Sequence, residues 1–232
     1  MTSEPAAPSR ELNKLWREWI QLHTVLDKEM PGRLAAPFFS AISRSKCNKR
    51  ILLVGKATDG EWKADSYSSA HIDDAIQERL RQNLDFVQSR GNGKAFWNFF
   101  CRLADFNTKF GLESVIWSNV AKIGRTKGNP TGKLLSRQAD LAIRTLRAEI
   151  REYHPALIFF VTGSDPVLSC IIHRTLGTLD CNWIKSDERS SDVPDVWWRS
   201  GEPAALWTRH PQGAPNHQKN YWIAKAQELI GS

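Results

Sequence analysis

Three stretches of this chain carry side chains suited to chemistry on a planar heterocycle. Gly55-Lys56-Ala57-Thr58-Asp59-Gly60-Glu61-Trp62 sets two carboxylates and an aromatic ring around a glycine turn, a set able to position a water and close over a flat ring. Asn119 ends the hydrophobic run that starts at Ser114, and its amide offers both a donor and an acceptor to a ring edge. His210, followed by Pro211, ends the run Ala204–Arg209, where a positioned imidazole can donate to an oxygen on which negative charge develops. Taken singly, each has a plainer reading: a surface turn with solvated acids, an Asn that caps a strand, and a satisfied structural His.

The elements around these residues decide whether they can meet. Short apolar runs at 50–55, 114–120, 156–163 and 204–209 read as buried strands. Between them the spacing predicts helices over 72–88, 94–106 and 134–153, with a further helix opened by Asp165-Pro166 in the manner of an N-cap followed by proline. Leu12, Leu15, Trp16, Trp19 and Ile20 recur at helical spacing over 11–28, and a last helix, capped by Asn216, runs to about residue 230. Gly91-Asn92-Gly93 lacks the Lys-Ser/Thr ending of a phosphate loop and reads as a turn. Strands alternating with helices predict an α/β fold with three α/β/α layers and a central, four-stranded, mostly parallel sheet. Ligands then gather at the carboxyl ends of the strands. A flexible segment, 1–10, would precede a single domain, 11–232.

The chain has 232 residues, 32 Lys and Arg against 25 Asp and Glu, a net charge of +7 and ten Trp. Basic charge interleaved with aromatic rings suits nucleic acid, because cations release phosphate counterions while rings stack on bases; a basic enzyme with core tryptophans fits the same composition. Arg125-Thr126-Lys127-Gly128, with Lys122 and Lys133 beside it, is either a phosphate-tracking loop or a solvated face. Cys47, Cys101, Cys170 and Cys181 are scattered without a CxxC pair, so no zinc or iron–sulfur spacing is present, and reduced, mostly buried thiols are expected. With no apolar signal core near Met1 and no run of the ~20 apolar residues needed to cross a bilayer, a soluble, cytoplasmic protein without a membrane partner is expected.

In order and placement the segments resemble the uracil-DNA glycosylase superfamily, from about Arg50 to Ile230. That family carries a glycine-containing motif after its first strand, a base-reading Asn after its second and a His-Pro motif after its fourth. The pattern looks closest to the iron–sulfur-cluster branch, whose G-E-A-P-G and N-V-x-K motifs are echoed by Gly55–Gly60 and by Asn119-Val120-Ala121-Lys122. The passage from the helix 134–153 through His154-Pro155 into Ala156-Leu157-Ile158 is similar as well, and His210-Pro211-Gln212 stands where that branch has His-Pro-Ser. Two positions depart from it: the cluster cysteines have no counterpart, and Lys56 occupies the place of the first-motif Glu.

The resemblance implies a uracil-DNA-glycosylase-like fold and a monofunctional hydrolase. Such an enzyme flips a nucleotide out of DNA and cuts its N-glycosidic bond, leaving an abasic site and needing neither metal nor other cofactor. Asp59 or Glu61 would act near the sugar and His210 at the base oxygen. Asn119, Trp62, Gly55, Ala57 and Phe96 would hold the base, and Lys56, Lys122, Arg125, Lys127, Arg209, Gln212 and Lys219 the DNA backbone. The altered first motif and the Trp197-Trp198 insertion point to uracil or a modified pyrimidine as target, with modified cytosines of phage DNA, and so a defence role, as one branch. A monomer is expected. Two other readings stay open: a DNA-binding module that kept the fold and lost the acid, and an enzyme of free nucleosides or nucleotides.

Overall fold

The computed structural model describes residues 4–42, 51–59, 71–91, 93–106, 111–177, 184–185, 197–199 and 203–231. In chain order these form α1 (Arg10–Glu29), β1 (Ile51–Asp59), α2 (Ile72–Gln88), α3 (Ala95–Phe106), β2 (Val115–Arg125) and α4 (Gly132–Tyr153). There follow β3 (Leu157–Val161), α5 (Pro166–Thr175), β4 (Ile184–Lys185), β5 (Trp197–Arg199), β6 (Ala204–Thr208) and α6 (Asn216–Gly231).

The four apolar runs pair as an all-parallel sheet in the order β2-β1-β3-β6, and β5 and β4 extend it antiparallel beyond β6. Leu157 to Val161 are buried throughout, as a strand covered on both faces requires. Burying each such side chain contributes roughly 1.5–3 kcal/mol. One core cluster joins the sheet to α1, α2, α4 and α5; the other joins it to α3 and α6. The expected three layers are therefore present, and among the described residues no helix is long and apolar enough to cross a membrane.

Local chemistry sets the helix limits. The Thr131 hydroxyl accepts from the Leu134 amide at 3.3 Å to open α4, and Asp165 Oδ1 accepts from Val167 and Leu168 at 3.0 and 3.3 Å to open α5. Such caps contribute about 1 kcal/mol each. Trp16 and Trp19 are buried on α1, and Trp19 Nε1 donates to Thr145 Oγ1 of α4 at 2.8 Å.

Four expectations change. Residues from Ala6 onward are fastened: the Ala6 amide donates to Ile42 O at 2.9 Å and Ser9 caps α1, so the first ten residues are not a free tail throughout. Asn216 does not cap α6 from outside; it is the first helical residue, and its Oδ1 accepts from Arg102. Cys101 is half-buried and Cys170 exposed, against the expectation of buried thiols; Cys47 and Cys181 lie outside the described residues.

The largest change is in strand length. β1 runs on through Asp59 and β2 through Arg125, past the last β1–β3 pair, Val54 with Phe160. What composition marks as two loops is a two-stranded ribbon, with Gly55 opposite Asn119, Ala57 opposite Ala121 and, beyond an irregularity, Asp59 opposite Arg125. Residues 33–38 cover its outer edge: the Ala35 amide donates to Gly124 O, the Phe38 amide to Lys122 O, and the Thr126 amide to Arg33 O. Gln138 of α4 braces it by exchanging two hydrogen bonds of 3.0 Å with the Ile123 backbone.

Candidate active site at the carboxyl edge of the sheet

The parallel strands place one polar side chain each at the same edge, in the order Asn119 (β2), Lys56 (β1), Asp165 (after β3) and His210 (after β6). Asn119 is 1% exposed, and its Nδ2 is buried with no hydrogen-bond partner among the described residues. A buried amide donor left unpaired costs about 1–3 kcal/mol, and an acceptor brought to this nitrogen would recover that cost. Its Oδ1 packs against Gly55, where a Cβ would fall 2.6 Å from that oxygen and 3.3 Å from Phe96 Cε2. Glycine here makes room for the amide and the ring together.

Phe96 projects from the first turn of α3, half-buried and wedged edge-on against Trp97 at 5.2 Å between centroids. Trp117 lies 6.1 Å away, and the ring of His210 6.2 Å away at an interplanar angle of 21°. The His210 ring is fixed by its own loop, because Nδ1 accepts from the Gln212 amide at 3.1 Å. Burial, and after it the positive charge of Lys56, hold the imidazole below its ordinary pKa of 6.5. At neutral pH the ring is therefore uncharged. Nδ1 is occupied as an acceptor, so the proton resides on Nε2, which is left as a donor. The Gly213 backbone, at φ 77, turns the chain so that the Ala214 amide returns to Pro211 O.

Lys56 Nζ lies 3.8 Å from Asp165 Oδ2, with the two side chains 23% and 30% exposed. Asp165 thus divides its carboxylate: Oδ1 closes the amino end of α5, and Oδ2 faces the Lys56 ammonium at the sheet edge.

The expected residues do not all join this group. Lys122 is fully buried, with Nζ 2.5 Å from Glu149 Oε1, 2.7 Å from Ser118 Oγ and 5.5 Å over the Phe38 ring. Glu149 also accepts from Ser118 and from Ser40, which in turn contacts Tyr153. Burial pushes the Lys122 ammonium below its ordinary range against the pull of Glu149. A phosphate cannot reach it, so its assignment to DNA contact is corrected to a structural one.

Ala57 is half-buried, and its methyl packs against the core cluster that joins the sheet to α1, α2, α4 and α5. Asp59 ends β1, four extended residues beyond Gly55, which carries its backbone about 13 Å along the ribbon from the level of Asn119. Glu61 and Trp62 lie outside the described residues. Lys127 and Gln212 are exposed, and Arg125 and Lys219 half-buried; Arg209 is exposed and donates to Gln218 Oε1 at 2.5 Å. The sequence marks Asp165 as a helix cap and sets Gly163–Asp165 in the crevice at the carboxyl ends of the strands, but nothing local announces its second neighbour on β1.

No protein-family model matches the chain, and no curated protein matches its sequence.

Proposed function

We infer that the protein is a DNA glycosylase, which takes a pyrimidine out of the stack and hydrolyses its N-glycosidic bond. The observation that carries this reading is Asn119: a buried amide donor without a partner among the described residues, whose oxygen meets Phe96 across the space above Gly55. Such an edge-reading group next to a stacking platform fits a flat heterocycle with a carbonyl and an N–H on one side. Phe96 supplies the stacking surface, and Nε2 of His210 supplies a neutral donor for the oxygen that gains charge as the base departs. The net charge of +7, with Arg125, Lys127, Arg209, Gln212 and Lys219, supports contact with a phosphate backbone. The family resemblance of the motifs adds to this, and hydrolysis needs no cofactor. The target is uracil or a modified pyrimidine, the modified cytosines of phage DNA included.

The test is a panel of DNAs carrying uracil, thymine mismatches or modified cytosines, phage DNA among them, with released bases and abasic sites counted. Release from one member by the wild type, lost in His210→Ala, is the expected result. Lys56, a cation where the resemblance has an acid, favours a second reading: a module that binds DNA without cutting it. Silence across the panel, with salt-sensitive DNA binding intact, would establish that reading instead.

A further inference from the structure

Cleaving an N-glycosidic bond builds positive charge at the sugar carbon, as in other glycosidic cleavages, and a carboxylate beside that carbon stabilises it and orients the water. β1 stays extended and carries the Asp59 backbone about 13 Å past the level of Asn119, whereas the Asp165 carboxylate lies beside Lys56 at the sheet edge.

We propose that Asp165 is the catalytic carboxylate of this site and that Lys56 is the residue that positions it. The inference rests on the glycosylase reading. β3 lies two strands from β2 and next to β6 in the sheet order, so the carboxyl end of β3, four residues before Asp165, stands roughly 10 Å across the edge from the strand of Asn119 and one strand from that of His210. That span accommodates a pyrimidine ring with its edge at Asn119 and its sugar carbon toward Asp165. Helix α5 anchors Oδ1 through two amides, and Lys56 holds Oδ2 at the edge, so the carboxylate is fixed from two sides. Lys56 is thus no loss of function at the first-motif position: its cation orients an acid contributed by a different strand.

The step balances without a further reactant. Water adds to C1′ while the C1′–N bond breaks, and the electron pair leaves with the base. Asp165 accepts the water proton as the new C1′–O bond forms and later returns it to solvent. His210 donates a hydrogen bond to the base oxygen, and the departing base anion takes its proton from solvent.

Asp165→Asn is the discriminating variant, because asparagine caps a helix as well as aspartate while the carboxylate, and with it the Lys56 pair, is lost. On the panel DNA that the wild type cleaves, Asp165→Asn is expected to lower single-turnover base release about 10²-fold or more with DNA affinity and melting temperature unchanged, a loss of the size seen for removal of one transition-state-stabilising group. Lys56→Met is expected to fall in the same rate constant with the affinity retained, and Lys56→Arg to restore it in part. Wild-type rates in Asp165→Asn, or a loss confined to Asp59→Asn or Glu61→Gln, would overturn the assignment and leave the glycosylase reading standing. A wild type that releases no base from any DNA would overturn both.

Discussion

Gly55 and Asn119 lie directly opposite each other on adjacent parallel strands, and the Asn119 amide oxygen occupies the space where any side chain at residue 55 would begin. The glycine is therefore a spatial requirement of the amide and owes nothing to backbone conformation, since it sits within a strand. A methyl group there must push either Asn119 or Phe96 aside.

Gly55→Ala is accordingly expected to cost about 1–3 kcal/mol of stability, as overpacking of a tight site does. It is also expected to reduce base release by at least tenfold. Thermal melting and single-turnover assays on the same preparation check both, and an unchanged rate would show that the amide needs no such seat.

Lys122 and Glu149 make a contrasting prediction, because their pairing is wholly internal. Lys122→Met leaves a buried carboxylate without its cation and is expected to lose about 3–5 kcal/mol. Combined Lys122→Met/Glu149→Gln removes both charges while the amide can still accept from a serine, so it is expected to recover more than half of that loss. Urea denaturation of the two variants measures the difference.

Salt dependence separates surface from interior cations. Lys127→Ala and Lys219→Ala are each expected to reduce the slope of log affinity for DNA against log salt by about one, the effect of one lost phosphate contact. Their relative effect across DNA sequences should be uniform. A slope unaltered in both would place the DNA path elsewhere.

The pH response of His210 follows from its lowered pKa, which has burial as first cause and Lys56 as second. The unfolded chain takes up the ring proton near 6.5 and the folded chain only at lower pH, so folding stability contributed by this group is fully present above 6.5 and is lost as pH falls through the folded value. Protonation also ends the acceptor role of Nδ1 toward Gln212. Melting temperatures between pH 7.5 and 5 are expected to fall less steeply for His210→Gln than for the wild type, and parallel curves would contradict the neutral ring.

Much of this architecture is legible in the sequence. Continuous apolar runs marked the four parallel strands because both faces of such a sheet are covered, and Asp165-Pro166 marked the start of α5 through cap chemistry. The ribbon is hidden because Gly55, Lys56, Thr58, Asp59 and Gly124 are turn-forming or polar residues; it takes the opposing strand, the Arg33–Phe38 segment and Gln138 to hold them extended. Lys122 looked like a surface cation because its partner lies on α4, far along the chain. The one local trace of that partner is a polar set on the buried face of α4, Gln138, Thr145 and Glu149. Strands β4 and β5 are too short for any periodicity to register. Asn119, Gly55, Phe96 and His210 are each visible by type, but their proximity depends on how α3 packs against the sheet, which no local spacing expresses.

The most direct measurement is base release by the wild type and by Asn119→Ala under single turnover, on the panel DNA carrying uracil or modified pyrimidines, with the free base identified by mass spectrometry. The account predicts a pyrimidine released together with an abasic site, and a rate at least 10²-fold lower in Asn119→Ala with its melting temperature held or raised, since the buried donor was unpaired. An Asn119→Ala enzyme that works at the wild-type rate would contradict it, as would a wild type that binds these DNAs and releases nothing.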